Sequence, residues 1–182
     1  MAYTLKGTND VIALATGGRI RKYYVPAVRI GLEETDMENI PSVILAQYIT
    51  DTVQLFTAVD SSGAGDWPLY INSMPDVAVN CGCIYDIPGS LDGRIMRTGG
   101  VIQHFGIQLK TRATNHSDGW KQIENTAIEL SKAHNETIIV DGTTYEIQNI
   151  SRTGTVIPLG QDEKRKFTFV VSFRVTIKEI EE

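Results

Sequence analysis

The chain has 182 residues, enough for one domain or one domain with an arm, and can bury about 70% of the surface that its unfolded form exposes. Its apolar content of 42% and charged content of 21% are ordinary for a globular protein, and no apolar run approaches the roughly 20 residues of a membrane span. The formal net charge of −5 argues against a sequence-independent nucleic-acid binder, which needs a basic surface to displace the counterions of phosphates.

The first 38 residues show little periodicity. Three apolar stretches, separated by Gly17-Gly18 and Pro26, predict short strands at 11–15, 19–25 and 27–30. This extension is either an added sheet on the main core or an arm for a neighbouring subunit. The start of the chain lacks the apolar centre of a signal peptide, which predicts a soluble protein made in a cytoplasm.

An apolar helix is predicted from Asn39 to Phe56. Asn39 is a plausible N-cap, and Pro41 falls in the first turn, where its missing N–H costs nothing. The helical spacing places these residues on one broad face: Leu45, Ile49, Val53 and Phe56, widened by Ile44, Tyr48 and Leu55. A helix this apolar is expected to pack on more than one side.

Two strands and two loops follow. A Gly- and Ser-rich loop at 58–66 leads into a strand at 67–71, in which Pro68 indicates an edge position or a strand start. In the next strand, 77–85, Cys81 and Cys83 share one face and are interpreted as small buried hydrophobes rather than as a metal or redox pair. The Gly-rich stretch 86–100 predicts a long loop.

The clearest element pair is a strand at 101–112 followed by a helix. Odd-numbered apolar residues alternate with polar ones along the strand, as in a strand that is covered on one side. Asn115 is the predicted N-cap of the helix, and Asp118 suits its positive end. Spacings of three and four place one stripe on the helix: Trp120, Ile123, Ala127, Leu130 and His134.

The remainder of the chain predicts a hairpin and a long final strand. Asp141-Gly142 is a strong turn signal between strands at 137–140 and 143–150. After a charged turn at 161–166, alternating Phe and Val residues from Phe167 to Ile177 predict a strand with one buried face. The sequence therefore predicts an α+β fold, a mostly antiparallel sheet with two helices packed on one face, in which residues 1–38 form an extension and 39–182 the main domain.

No known catalytic motif is found, which predicts a protein that is not an enzyme and needs no cofactor. Phosphate-binding loops, zinc-protease helices and nucleophile elbows are all missing from the sequence. A hydrolase or metal site would need His104, His116 or His134 to converge on Asp118. The simpler interpretation places these histidines on a strand's polar face, in a turn and at a helix end.

The order of these parts resembles the tail terminator and minor capsid proteins of tailed bacteriophages, over about residues 39–178. The strand that ends in Gln108-Leu-Lys-Thr-Arg112, with its polar turn and helix, carries the resemblance most specifically. The second feature is the loop Pro158-Leu-Gly-Gln-Asp-Glu163, which enters a Phe-rich strand. The extension at 1–38 departs from the shorter family pattern, so that another neck or tail-completion protein stays an alternative.

The resemblance implies a virion protein of the tail or neck that assembles in the host cytoplasm as a ring, expected to be a hexamer. Such a ring caps the head-proximal end of the tail tube, stops its polymerisation and joins the head connector, while DNA passes through the lumen without specific binding. An acidic balance suits such a lumen, because fixed positive charge would retain DNA. The basic residues expected at subunit or partner interfaces are Arg94, Arg97, Arg112, Lys164, Arg165 and Lys166.

Two other classes of protein remain open. A tube protein would also form rings but would stack them. A non-viral module that binds a small ligand or peptide would stay monomeric or dimeric and would contain an aromatic-lined pocket of about 300 to 1,000 Å³. Solution mass and electron micrographs would distinguish these classes.

Overall fold

A computed structural model of the chain describes residues 11–16, 19–24, 37, 39–58, 67–76, 80–94 and 101–180. The chain forms two compact units, Met1–Glu34 and Thr35–Glu182. The first unit contains an antiparallel pair of strands, β1 (Val11–Thr16) and β2 (Arg19–Tyr24), close to two of the predicted strands. The third predicted strand, at 27–30, lies outside the described residues.

In its described residues, the second unit contains two α-helices, a short π-helix and eight strands. Its elements in chain order are α1 (Pro41–Tyr48), a π-helix (Ile49–Val53), β3 (Thr57–Ala58), β4 (Pro68–Ile71), β5 (Cys81–Arg94), β6 (Val101–Ala113), α2 (His116–Leu130), β7 (His134–Val140), β8 (Thr143–Arg152), β9 (Ile157–Gln161) and β10 (Phe167–Ile180). Among the described residues, neither helix is long and apolar enough to cross a membrane.

The eight strands form one mixed sheet. Its order is β3-β4-β5-β6-β10-β8-β7, and β9 pairs with the beginning of β10. The pairs from β5 to β7 along this order are antiparallel, whereas β3 with β4 and β4 with β5 are parallel. The prediction of an α+β fold with two helices is therefore confirmed; the structure is rich in strands, and its sheet is mixed at the β3 edge.

The core lies on one face of the central strands. Ile107 and Leu109 of β6 are fully buried, and Phe169 and Val171 of β10 are at most 1% exposed to solvent. The register pairs Leu109 with Val171 and Ile107 with Phe173, so that the apolar face predicted from each strand is continuous across the two strands. The alternation in the sequence thus correctly identified the buried face.

Helix α2 begins as predicted and ends earlier than predicted. The Asn115 side chain caps it by accepting a hydrogen bond from the Ser117 N–H at 2.9 Å. Ile123, Ala127 and Leu130 are fully buried, whereas Trp120 is 38% exposed with its ring edge-on to Phe169. The placement of His134 on the helix was wrong: the helix ends at Leu130, and His134 is the first residue of β7.

Helix α1 differs from its prediction at both ends. Asn39 does not cap it; its backbone N–H and its side-chain amide donate to the hydroxyl of Tyr145 at 3.1 Å. Asp86 of β5 takes over the cap, since its carboxylate accepts from the N–H of Ser42 at 3.1 Å and from its hydroxyl at 2.5 Å. The α-helix ends at Tyr48 and continues as the π-helix, which stops at Gln54 in a left-handed conformation with φ of 54°.

The predicted loop at 86–100 was largely wrong, because β5 continues as a strand to Arg94. The register between β5 and β6 shifts between Ile87 and Ser90, around Pro88 and Gly89. There the strands approach so closely that a Cβ on Gly106 would lie 2.4 Å from the carbonyl oxygen of Pro88. Residues 95–100 lie outside the described part of the chain.

The Asp141-Gly142 turn is confirmed between β7 and β8. Asp141 has φ of 50° and Gly142 has φ of 90°, the two positive values that a type I′ hairpin turn requires. Both strands are longer than predicted, because β7 starts at His134 and β8 reaches Arg152.

Candidate interaction surface

Arg112 is buried at one end of the sheet. It is the last but one residue of β6, and the register places it between Cys81 of β5 and Thr168 of β10. Its residue surface is only 7% exposed. One guanidinium nitrogen donates to the carbonyl oxygen of Pro75, and another lies 4.0 Å from the carboxylate of Asp162. Arg112 thereby connects two loops that are distant from each other in sequence.

Asp162 organises the charged turn between β9 and β10. One of its carboxylate oxygens accepts the backbone N–H groups of Lys164 and Lys166, at 2.9 and 2.8 Å. These hydrogen bonds, that of Lys166 above all, lower the pKa of the Asp162 carboxyl, and the positive charge of Arg112 acts in the same direction. Arg165 has a left-handed backbone with φ of 58°. The turn is therefore a defined structure that presents exposed Lys164 and Arg165.

Lys164 extends the same cluster to the loop before β5. Its ammonium lies 3.2 Å from the carboxylate of Asp76 and 3.3 Å from the Asp76 carbonyl oxygen. Four of the six basic residues singled out in the sequence thus meet at this end of the sheet: Arg112, Lys164, Arg165 and Lys166. Arg94 ends β5 opposite Val101, far from that cluster, and its side chain is not described; Arg97 lies outside the described residues.

Sequence reasoning missed the acidic partners of this cluster. Asp162 had a detectable signal, because in turns an Asp side chain often accepts a hydrogen bond from the backbone N–H two residues further along the chain, here that of Lys164. Pro75 and Asp76 had none, since Pro75 lies 37 residues from Arg112 and Asp76 lies 88 residues from Lys164, so that each meets its partner only in the folded chain.

Cys81 and Cys83 are free, and both are fully buried. Burial raises the pKa of both thiols, so they stay protonated at neutral pH. Burial, together with a hydrogen bond to Cys83, also raises the pKa of Tyr85 to about 12. The interpretation of the two cysteines as small buried hydrophobes is confirmed.

The three histidines lie in separate environments and do not converge on Asp118. The two ring nitrogens of His104 lie 2.7 Å from the Thr176 hydroxyl and 2.8 Å from the Asp92 carboxylate. His116 contacts Phe167 and Phe169 edge-on, with ring centroids 5.2 and 5.1 Å apart. Within the described ranges, no three His, Cys, Asp or Glu side chains are grouped to hold a metal ion.

A cavity of about 530 Å³ lies beside the start of α1. Ile40 and Pro41 line one side, and Ile87, Leu91 and Phe105 of the β5–β6 pair line the other. Ile40 is 51% exposed and Leu91 is 69% exposed, so the cavity is bordered by apolar side chains that face solvent. At the opposite end of the sheet, Ile157 and Leu159 of β9 are 55% and 56% exposed.

A charged turn, the exposed strand β9 and exposed apolar side chains can serve contacts with other proteins. The comparisons with known proteins identify a family. The profile of the bacteriophage tail terminator protein family matches residues 58–179, from the end of β3 into β10. The chain belongs to this family and has a structural role in a phage tail.

The other comparisons add little. No curated protein is significantly similar in sequence to this chain. One solved structure is 18% identical and covers 63% of this chain and 82% of its own length, with a TM-score of 0.37. That likeness is too distant for a comparison of folds.

Proposed function

We propose that this protein is a ring-forming tail terminator, expected to be a hexamer, that caps the head-proximal end of a phage tail tube. The cap stops polymerisation of the tube and forms the joining surface for the head connector. The observation that carries the proposal is the family match, which extends over most of the large sheet. The protein would assemble in the host cytoplasm and reside in the tail or neck of the virion.

Its partners would be further copies of the chain, the tube protein and a connector or neck protein. DNA would pass through the lumen without specific binding, which the net charge of −5 supports because a fixed positive lining would retain it. We expect the protein to act by assembly rather than by catalysis, without a cofactor.

The basic turn is the proposed contact for an axial partner. Lys164 and Arg165 are exposed on a turn that Asp162 holds in shape. Arg112, which is buried, would position that turn rather than touch the partner. Arg94 and Arg97, together with Lys166, complete the proposed set of interface residues.

We infer that both helices cover the same face of the sheet. Ser42 of α1 binds Asp86, and Gly119 of α2 contacts the ring of Phe169. The registers align Asp86 with Ile107 of β6, and Phe169 with Thr111 of the same strand. Ile107 and Thr111 are four residues apart and therefore on one face. In this arrangement residues 39–182 form the terminator domain, and residues 1–38 form an extension outside the family match.

Native mass spectrometry with negative-stain images of the purified protein tests the proposal. We expect closed six-fold rings, or monomers that form such rings only on the ends of tail tubes, and arrest of tube growth at these ends. Stacking of the rings into long tubes would instead indicate a tube protein. A stable monomer that ignores tail tubes would refute the proposal in favour of a ligand-binding module.

A further variant tests the basic turn. Replacing Lys164, Arg165 and Lys166 together with Ala should leave rings intact and weaken binding to the tube or connector. Glu163→Ala, in the same turn, is the matched control. Unchanged binding by the triple variant would exclude the turn as the axial contact.

A further inference from the structure

We propose that the β1–β2 hairpin of one copy of this chain docks on the free edge of β7 in a neighbouring copy. This acidic edge consists of the outer side of β7 (His134–Val140) and the groove beside it, which is lined by Ile128, Glu129 and Glu136. The inference rests on the proposed ring and names a surface that joins its subunits.

The hairpin is a sheet of only two strands. In the described part of the chain, β1 pairs with β2 alone. A two-stranded sheet is at best marginally stable in water and gains stability when a further strand or surface covers it. Its outer edges also carry unpaired backbone N–H and C=O groups. The hairpin is therefore suited to adding a strand to another sheet.

β7 offers an open and regular edge to such a strand. In the described sheet it pairs with β8 alone, and this pairing contains no register shift. β7 has seven residues, against six in each strand of the hairpin, and it contains neither Lys nor Pro, which protect the edges of natural sheets. A hairpin strand can therefore pair with β7 along its whole length.

The other open edges of the described sheet suit the hairpin less well. β3 has only two residues. The edge of β5 beyond Ile84 contains Pro88, and its pairing with β6 shifts register twice. β9 contains Pro158, and its pairing with β10 also shifts register. Proline and bulges interrupt the ladder of hydrogen bonds that an added strand needs.

The hairpin is basic. β2 contains Arg19, Arg21 and Lys22, and neither of its two strands contains an acidic residue. Because successive positions of a strand alternate between its faces, positions 19 and 21 share one face. The hairpin therefore favours a sheet edge that has carboxylates on one side.

The edge of β7 has that charge. Glu129 and Glu136 are exposed on the groove, and Asp141 is exposed in the turn after β7. Lys132 compensates Glu129, from whose carboxylate its ammonium lies 2.7 Å, whereas Glu136 and Asp141 have no ion pair within the described ranges. Burial raises the pKa of Tyr48 in the same groove, and the charges of Glu136 and Glu129 raise it further. Their negative potential thus extends into the groove.

The groove also offers an apolar contact on the same side of the sheet. Ile128 of α2 lines it and is 46% exposed. Glu136 is aligned with Ile147 of β8, which is fully buried in the core beneath the helices. Glu136 and the groove therefore lie on one side of β7, where they can contact one face of an added strand.

The length of the connection favours a neighbouring copy over the chain's own β7. Asn39 binds Tyr145 of β8, which is aligned with Ile138 of β7, so the large unit begins near this edge. Connections between adjacent elements usually need only about 4–6 residues. Residues 25–38 separate the hairpin from Asn39 and can span up to about 50 Å when extended. That span exceeds the roughly 40 Å diameter of a domain of this size.

Two charge-reversed forms of the full-length chain test the docking. The arm variant carries Arg19→Glu and Arg21→Glu, and the edge variant carries Glu129→Lys and Glu136→Lys. In each variant the hairpin and the edge have charges of the same sign, which opposes association. Native mass spectrometry across a concentration series should show self-association weakened at least tenfold in each.

The mixture of the two variants is the decisive sample. The acidic hairpin of the arm variant fits the basic edge of the edge variant, and the remaining hairpin and edge fit each other as well. The mixture should therefore regain assembly, with the two variants alternating. The matched control carries Asp118→Lys and Glu163→Lys, which reverse two exposed carboxyls outside the acidic edge, and should assemble like the unmodified protein.

Amide hydrogen exchange distinguishes a neighbouring copy from the chain's own β7. Amides of β7 that do not bond to β8 should become protected as the concentration of the unmodified protein rises. The arm variant should lack this protection at the same concentrations. Equal protection in the dilute monomer would place the hairpin on its own chain and overturn the inference.

The outcomes separate this inference from the proposed function. If the unmodified protein forms rings and both charge-reversed variants do so equally well, the ring stands and the docking of the hairpin is wrong. Two variants that melt cooperatively but fail to assemble when mixed would also overturn the docking. An unmodified protein that stays monomeric both in solution and on tail tubes would overturn the inference and the proposed function together.

Discussion

Gly119 lies in the first turn of α2, where the helix packs closely against the sheet. A Cβ at this position would lie 2.7 Å from the ring of Phe169 and 2.8 Å from the Cβ of Ala113. Both neighbours are fully buried, so neither can move away cheaply. In an exposed helix the same glycine would only lower stability, by about 1 kcal/mol relative to alanine. Here it permits the close packing of helix and sheet.

Gly119→Ala should therefore destabilise the protein although it raises helix propensity. Overpacking costs about 1–3 kcal/mol, which exceeds the gain of about 1 kcal/mol in propensity. Urea denaturation should show a net loss of about 1 kcal/mol. Gly154→Ala is the control, since a Cβ there would meet nothing within 4 Å and should leave stability unchanged or slightly higher. A more stable Gly119→Ala variant would contradict the packing argument.

At the scale of elements, the ionised Asp162 carboxylate adds its hydrogen bonds to two backbone hydrogen bonds that close the turn at 162–166, from the Asp162 N–H to the Lys166 carbonyl oxygen and from the Arg165 N–H to the Asp162 carbonyl oxygen. The pKa of Asp162 is lowered in the folded protein, because its carboxylate accepts the backbone N–H groups of Lys166 and Lys164. A group with a lowered folded pKa stabilises the structure above its unfolded pKa, about 4 for Asp, and loses that effect as pH falls through the folded pKa. The turn should thus be ordered at neutral pH and loosen only in acid.

Amide hydrogen exchange measures this loosening directly. Below pH 4 we expect protection of the Lys166 amide, relative to that of the same amide in the unfolded chain, to fall before protection in the centre of β10 falls. Asp162→Asn should already show low protection at pH 7, whereas Glu163→Gln should behave like the unmodified protein. Equal protection of Lys166 in the Asp162→Asn variant would show that the carboxylate does not hold the turn.

Elements with a local signal were predictable from the sequence, and those that depend on distant partners were not. The alternation in β6 and β10, the Asn115 cap and the Asp141-Gly142 turn all follow from residues within a few positions of one another. The N-terminus of α1 was mispredicted because Asp86, 44 residues away, supplies the cap. The second half of β5 resembles a loop through its Pro and Gly residues, and only its partner β6 makes it a strand.

At the scale of the whole molecule, the candidate site also combines features that have a local sequence signal with contacts that depend on distant residues. The sequence identified Arg112 and the basic turn as separate features, because each carries its own charge pattern. Their meeting follows from the register of β6 with β10, which places Arg112 opposite Thr168 just after the turn. The parallel pairing of β4 with β5 had no signal either, since strands as short as β4 do not reveal the direction of their neighbours.

The large unit should fold without the first 34 residues. Every member of the buried apolar cluster found in the described chain lies between Ile44 and Ile177, inside the unit Thr35–Glu182. A chain that begins at Thr35 keeps Asn39 and its hydrogen bonds to the hydroxyl of Tyr145, so the start of α1 stays attached to β8.

We therefore expect the shortened chain to show one cooperative thermal transition, within about 5 °C of that of the full-length chain. For a domain of this size a shift of 5 °C corresponds to about 1–2 kcal/mol. A non-cooperative melt, or exposed apolar surface that binds dye at room temperature, would show that the core needs the first unit. If the shortened chain folds, its assembly state tells whether residues 1–34 act as an arm: rings that form only with the full-length chain would assign the extension to a neighbouring copy.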